Sequence, residues 1–311
     1  MVSRHSAFNR LASSVFIPLL VFFAVLSLHN CVEAQVLSQW SIGEKGCGPC
    51  AVINSLIGTR DAELLEALEG RRAVDKARSF IREYGDAESV KYREHRKCFS
   101  RDHGTADLDL QHMINTFLRE NEGVPVQGMH VQRADWERTH RYIRRIHAIL
   151  DGSISAKFHP IVSVRALAAE KADEPDENGD EKFVWNGKGA HWITVNSVGK
   201  ISQDGLGFVM NFSDSISGRK LSGYIHVERH RAAVVPMTFT VNDEGKEEWD
   251  WVSSKQCLMI NAPGMPLGTV QAKWQQRTFT VLRYLIYRDP EAKPADRDAI
   301  EVTRSAQSSQ G

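Results

Sequence analysis

Apolar positions fall three and four residues apart through the first half of the chain and gather into short β-branched runs through the second. Pro49 suits a first helical turn, and Ala51-Val52-Ile53 with Leu56-Ile57 follows at helical length, so a buried helix is expected to begin near Cys47. The segment from Asp61 to Ile81, rich in Ala, Leu, Glu and Arg, predicts a second helix. Asp107 to Glu120 sets Leu108, Met113, Ile114, Phe117 and Leu118 on one side and predicts a third. Trp136 to Leu150 repeats the pattern with Tyr142, Ile143, Ile146, Ile149 and Leu150, and Asp151-Gly152 is expected to end it. The charged run Tyr92 to Lys97 reads as a solvated helix face.

Strand signals then take over. Pro160-Ile161-Val162-Ser163-Val164, Trp192 to Val198 and Gly207 to Phe212 are β-rich. Met237 to Val241 and Glu248 to Val252 flank Asn242-Asp243-Glu244-Gly245 as a hairpin. The acidic stretch Glu170 to Glu181 reads as a solvated loop. From Asp289 to the end hardly any apolar anchor remains, so residues 289–311 read as a disordered tail. Helices first and strands later in one body predict an α+β fold.

The one long apolar run, Val15 to Leu28, follows Arg4 and Arg10 and precedes Val32-Glu33-Ala34, which predicts a signal peptide over 1–34 cut before Gln35. The chain is then secreted or periplasmic, with no stable membrane association after cleavage; the alternative is an anchor formed by the uncleaved segment. Lys plus Arg number 39 against 39 for Asp plus Glu, so nothing in the overall charge favours nucleic acid or an anionic membrane.

Export gives the cysteines two possible meanings. Cys47, Cys50, Cys98 and Cys257 stand in a compartment that permits disulfides, yet Cys47 falls at a helix N-terminus, where the dipole and a histidine partner lower a thiol pKa. His191 opens a predicted strand behind the flexible Gly187-Lys188-Gly189-Ala190. Asp214 closes the next strand, where it, or Asn211 as an amide acceptor, would orient the imidazole. The backbone N–H of Cys47 and the side-chain amide of Gln39 would make an oxyanion hole.

Gln39 ahead of Cys47-Gly48-Pro49, His191-Trp192 opening a strand and Asp214 closing the next resemble the papain-like cysteine peptidases of the bacteriocin-processing, double-glycine leader type. Gly104-Thr105 before the third helix and Pro160-Ile161-Val162 resemble that family's intervening helix and first central strand. The likeness covers roughly Gln35 to Gly218. His191 lies ~144 residues beyond Cys47, inside the ~130–150 spacing of papain-type enzymes. The resemblance implies a papain-like core of N-terminal helices packed on an antiparallel sheet over 35–288, with 219–288 as a β-rich extension. It also implies Cys47 as nucleophile, His191 as general base and acid, Asp214 as orienter and Gln39 as oxyanion donor. The expected function is a secreted cysteine peptidase acting on a peptide or protein substrate, with no metal or organic cofactor.

Other readings remain open at this point. Cys47-Gly48-Pro49-Cys50 is also the dithiol motif of thioredoxin-like oxidoreductases. Cys47 bridged to another cysteine would be disarmed. Cys47, Cys50, His95 and Cys98 have zinc-ligand spacing. A catalytically silent secreted binding protein would keep the fold without turnover.

Overall fold

The β-branched runs of the second half pair with one another all the way round. In the computed structural model, which describes residues 35–171, 183–227, 234–266 and 278–291, six antiparallel strands close into a barrel. Its order is β10 (Leu258–Asn261), β7 (Arg219–Val227), β6 (Gly207–Asp214), β5 (Phe183–Ile201), β4 (Ile161–Lys171) and β11 (Thr278–Tyr287), and β10 pairs back onto β11. Leu258 lies opposite both Val227 of β7 and Leu282 of β11, so one residue marks the seam. A short strand β3 (Gln127–His130) lengthens the sheet beyond β11.

Alternation along the strands sorts the side chains. Val162, Val164, Ile193, Val195, Phe208, Met210, Phe212, Ile225 and Leu282 share one buried cluster with Tyr142, Ile143, Ile146 and Leu150 of helix α5 (Thr139–Ser155). Ile161, Trp192, Tyr284 and Ile286 belong to a second cluster, built with helices α1 (Cys47–Thr59), α2 (Ala62–Glu66), α3 (Ala73–Tyr84) and α4 (Asp107–Glu120). The hairpin β8 (Val234–Val241) and β9 (Glu247–Ser253) adds Val235 and Met237 to a third, with Leu167, Cys257, Met259 and Val281.

The expectation of an α+β fold with a papain-like helices-on-sheet core is corrected: the fold is mixed α/β with a closed six-stranded antiparallel barrel and few helices. The reason lies in residues 219–288. An open sheet ending at β4 and β6 would expose two rows of backbone N–H and C=O groups. β7, β10 and β11 satisfy them, so these strands complete the barrel and are no appended extension.

Smaller corrections have local causes. The single helix expected over Asp61–Ile81 is two, because Gly70 takes φ +96° between them and the Asp61 side chain caps Leu64 N–H at 3.2 Å. Asp151-Gly152 does not end α5, which runs to Ser155, since the ~1 kcal/mol cost of one helical glycine is small beside the buried face of the helix. Tyr92 to Lys97 is no helix face: Arg93–Lys97 forms β2, paired with β1 (Glu88–Ser89). Helix α4 and the β8–β9 hairpin fall where the pattern puts them. Of the loop expected over Glu170 to Glu181, Glu170 and Lys171 are instead the end of β4, paired with Val184 and Phe183, and the rest, with the signal segment 1–34 and the tail beyond residue 291, lies outside the described residues. No described helix is long and apolar enough to cross a membrane.

Candidate functional site

Helix α1 lies against β5 with its N-terminus at the mouth of a groove. Thr194 Oγ1 on β5 donates to Ala51 O at 2.8 Å, which fixes the height of the helix along the strand. Gly46 is the N-cap; a Cβ there would come within 2.5 Å of Ile42 Cγ1, so the chain can enter the helix this closely only without a side chain. The consequence is that Cys47 occupies the first helical position, half-buried, with its first-turn N–H lacking an intrahelical acceptor.

Three strands of chain meet over that sulfur. His191, on β5, is 1% exposed and its Nε2 sits 2.6 Å from Asp214 Oδ1 at the end of β6, where the carboxylate is fully buried. Asp214 also accepts from Ile216 N–H at 3.1 Å and Ser217 N–H at 3.0 Å, so the turn after β6 aims the carboxylate. With Nε2 committed, the remaining ring nitrogen is left for the Cys47 sulfur, to which His191 is hydrogen-bonded. Asn211, the rival orienter, is exposed and donates to Ser197 Oγ at 2.9 Å; the structure brings Asp214 to the imidazole and leaves Asn211 out.

The electrostatics follow from this chain of contacts. Burial would push the Cys47 thiol up, but the His191 hydrogen bond and charge, with the backbone N–H groups of Trp192 and Gly48, hold it below its ordinary value. Burial alone would lower His191, yet Asp214 and the Cys47 sulfur raise it to about 9. Burial likewise opposes ionisation of Asp214, and its bonds from His191 and Ser217 still keep it below the usual carboxylate range. The three groups favour a thiolate, an imidazolium and a carboxylate.

Gln39 arrives from the other side. Its turn is stitched to the segment after Asp214 by Gln39 N–H to Ser215 O at 2.9 Å and Trp40 Nε1–H to Ile216 O at 3.0 Å. Gln39 Nε2 donates one hydrogen to Glu44 O at 2.8 Å, which leaves its second N–H beside the groove it lines with Cys47 and His191. That groove encloses about 380 Å³ and is walled further by Trp40, Thr105, Trp192 and Ile216. Trp192 Nε1 donates to Thr105 O at 3.3 Å, tying β5 to the loop ahead of α4.

The other cysteines stand apart from the groove. Cys47, Cys50, Cys98 and Cys257 are all unbridged. Cys50 is fully buried in the helical cluster, and burial, followed by the Cys47 charge, pushes its thiol up. The zinc grouping is not assembled, since no three His, Cys, Asp or Glu residues converge as a metal site among the described residues. Sequence reasoning passed over Arg165 and Arg283, buried or half-buried cations beside the groove. The signal was present: each is a lone charge inside an apolar strand run, Val162-Ser163-Val164-Arg165-Ala166-Leu167 and Val281-Leu282-Arg283-Tyr284-Leu285.

Of the four residues singled out in the sequence, Gln39, Cys47 and His191 thus line one groove, and Asp214 stands buried behind His191. Set against protein-family models, curated proteins and solved structures, the chain matches none.

Proposed function

We propose that this chain is a cysteine hydrolase that cleaves peptide or amide bonds through a covalent thioester. The reading rests above all on the buried His191 that hydrogen-bonds Cys47 on one side and Asp214 on the other. A structural histidine has no need of a half-exposed thiol at a helix N-terminus on one nitrogen and a buried carboxylate on the other.

The Cys47 thiolate attacks the carbonyl carbon and forms a C–S bond. The oxygen that becomes negative accepts from Cys47 N–H and the second Gln39 Nε2–H, donors fixed before reaction. As the tetrahedral intermediate collapses, the C–N bond breaks and the His191 imidazolium gives its proton to the departing amine. The now neutral imidazole takes a proton from water while its oxygen attacks the thioester. The C–S bond breaks, the acid leaves and the ion pair re-forms. Asp214 keeps the ring aligned and favours its charged state throughout. The N-terminal segment, read as an export signal, makes the substrate an extracytoplasmic peptide or protein.

The test is hydrolysis of a mixed peptide library by the full chain, read by mass spectrometry. Cys47→Ala and His191→Ala are expected to abolish cleavage with an unchanged circular dichroism spectrum. Cleavage retained in Cys47→Ala overturns the reading.

A further inference from the structure

The groove does not end at Cys47. Past the shared walls His103, Thr105, Gly189, Ala190 and Trp192 it opens into a second cavity of about 490 Å³. The far side of that cavity is the β8–β9 hairpin, which supplies Phe239, Glu247 and Trp249; the barrel side supplies Ser163 and Arg165 of β4 and Arg283 of β11.

The charges in this cavity do not balance. Asp107 is held by Lys91 Nζ at 2.6 Å, with both side chains buried. Asp109 accepts from Ser89 Oγ at 2.7 Å and from Lys91 N–H at 3.2 Å. Glu247 accepts from the Tyr92 hydroxyl. Arg283 donates from Nε to Met237 O at 2.8 Å. Arg165 alone among the lining guanidiniums of the barrel has no hydrogen bond or ion pair among the described residues. It lies face-on to Trp249, 4.1 Å from the ring centroid, with Arg283 on the same ring at 5.2 Å. Burial, and then the neighbouring Arg283, pull the Arg165 pKa down to about 10, with the Glu247 carboxylate offsetting only part of the fall. Arg165 is also the cross-strand neighbour of Ala190, the residue before His191, so its distance from the reacting centre is set by the sheet.

We propose that this cavity is the specificity pocket of the cysteine site and that it takes a peptide carboxylate flanking the scissile bond, bound by Arg165. The inference rests on the cysteine-hydrolase reading above. A carboxylate entering beside Trp192 meets a planar cation fixed by an aromatic face, the arrangement that favours a forked, charge-assisted pair. A lysine or arginine side chain entering there faces Arg165 and Arg283, while the three carboxylates already have partners. The carboxylate has two possible sources, an Asp or Glu side chain or a chain terminus.

Peptidyl vinyl sulfones, which alkylate a thiolate held beside an imidazolium, separate these arms. Three probes are used on the full chain: one with Glu next to the warhead residue, one with Gln there, and the Gln probe carrying a succinyl cap as a terminal carboxylate. Rates of Cys47 modification are read by intact mass. The Glu or the succinyl probe is expected to react about tenfold faster than the neutral Gln probe, and this ratio, taken between probes on the same protein, is expected to fall to about one in Arg165→Gln. Arg165→Lys is expected to keep part of it. Should Arg165→Gln not fold, loss of the wild-type advantage with rising salt decides the matter. Equal rates for all three probes on wild-type protein overturn the pocket and leave the nucleophile standing. Failure of Cys47 to react with any probe, or with iodoacetamide at pH 6, overturns the hydrolase reading and the pocket with it.

Discussion

His191 Nε2 and Asp214 Oδ1 are 2.6 Å apart, on adjacent strands of the barrel and out of contact with water. A pair so placed holds a ring in one orientation, and which tautomer or charge state it adopts is decided by the carboxylate. Asp214→Ala removes the acceptor and leaves the turn at Ile216 and Ser217 without its anchor. Its kcat/KM is expected to fall about 10²-fold or more, by analogy with orienting carboxylates in other triads. Asp214→Asn retains an acceptor and is expected to lose less. Steady-state kinetics on both variants, with thermal melts to verify folding, check the order.

The ion pair predicts the pH profile. Cys47 is held below its ordinary thiol value and His191 raised to about 9, so the reactive pair exists between those two limits. Hydrolysis is expected to rise as pH climbs through the depressed thiol value, to hold a plateau across neutrality, and to decline near pH 9 as His191 loses the proton it must give the leaving amine. In His191→Ala the thiol keeps its burial and loses its counter-charge. Alkylation of Cys47 by iodoacetamide is then expected to begin only at or above the free-thiol range, near pH ~8.5. Stopped alkylation followed by mass measurement gives both curves.

Stability is linked to the same groups. The folded-state pKa of His191 lies above its unfolded value, so its contribution is full below about pH 6.5 and is lost as pH rises through about 9. Asp214 has its folded pKa below its unfolded value, so its contribution is present above the ordinary carboxylate range and is lost as pH falls through the folded pKa. Urea denaturation across pH is expected to show both limbs in wild type, and a weakened alkaline limb in His191→Ala.

Gln39 offers a sharper test of the oxyanion hole, because its role touches the intermediate and not the thiolate. Gln39→Ala is expected to lose ~10²–10³ in kcat, the cost of removing one such donor. The pH dependence of Cys47 alkylation should stay as in wild type, since His191 and the helix start are untouched. A parallel loss of alkylation at pH 6 would mean that Gln39 holds the turn at Ser215 in place and donates nothing to the intermediate.

What the sequence could carry was local or ordered along the chain. The i, i+3, i+4 spacing of Ile114, Phe117 and Leu118 fixes α4 because a helix writes its buried face into consecutive residues. Cys47 and Asp214 were legible because each sits at an element end whose type the flanking residues declare; His191, expected to open its strand, lies in the middle of β5, because Gly187 to Ala190 pair with β4 as strand and form no flexible approach. Barrel closure was not, since the Leu258–Leu282 pairing is a backbone contact between distant segments that leaves no periodic trace. The Arg165 pocket depends on the same long-range placement: the hairpin that carries Trp249 and the start of the strand that carries Arg165 were both foreseen, and their meeting was not.

The ion pair Lys91–Asp107 supports the floor of the second cavity and yields the last prediction. Both side chains are under a tenth exposed and their charged atoms lie 2.6 Å apart. Burial pushes Lys91 down against the pull of Asp107; burial also opposes ionisation of Asp107, yet Lys91 keeps it below the usual carboxylate range. Asp107 opens helix α4, where a carboxylate also favours the helix N-terminus. Lys91→Met strands that carboxylate beside Asp109, already raised by its own burial. A loss of ~3–5 kcal/mol is expected, because a lone buried charge costs more than the pair was worth. The double variant Lys91→Met with Asp107→Leu removes both charges and is expected to recover much of that loss. Chemical denaturation of the two single variants and the double closes the cycle; a double variant no more stable than Lys91→Met would show that Asp107 holds the loop by something other than its charge.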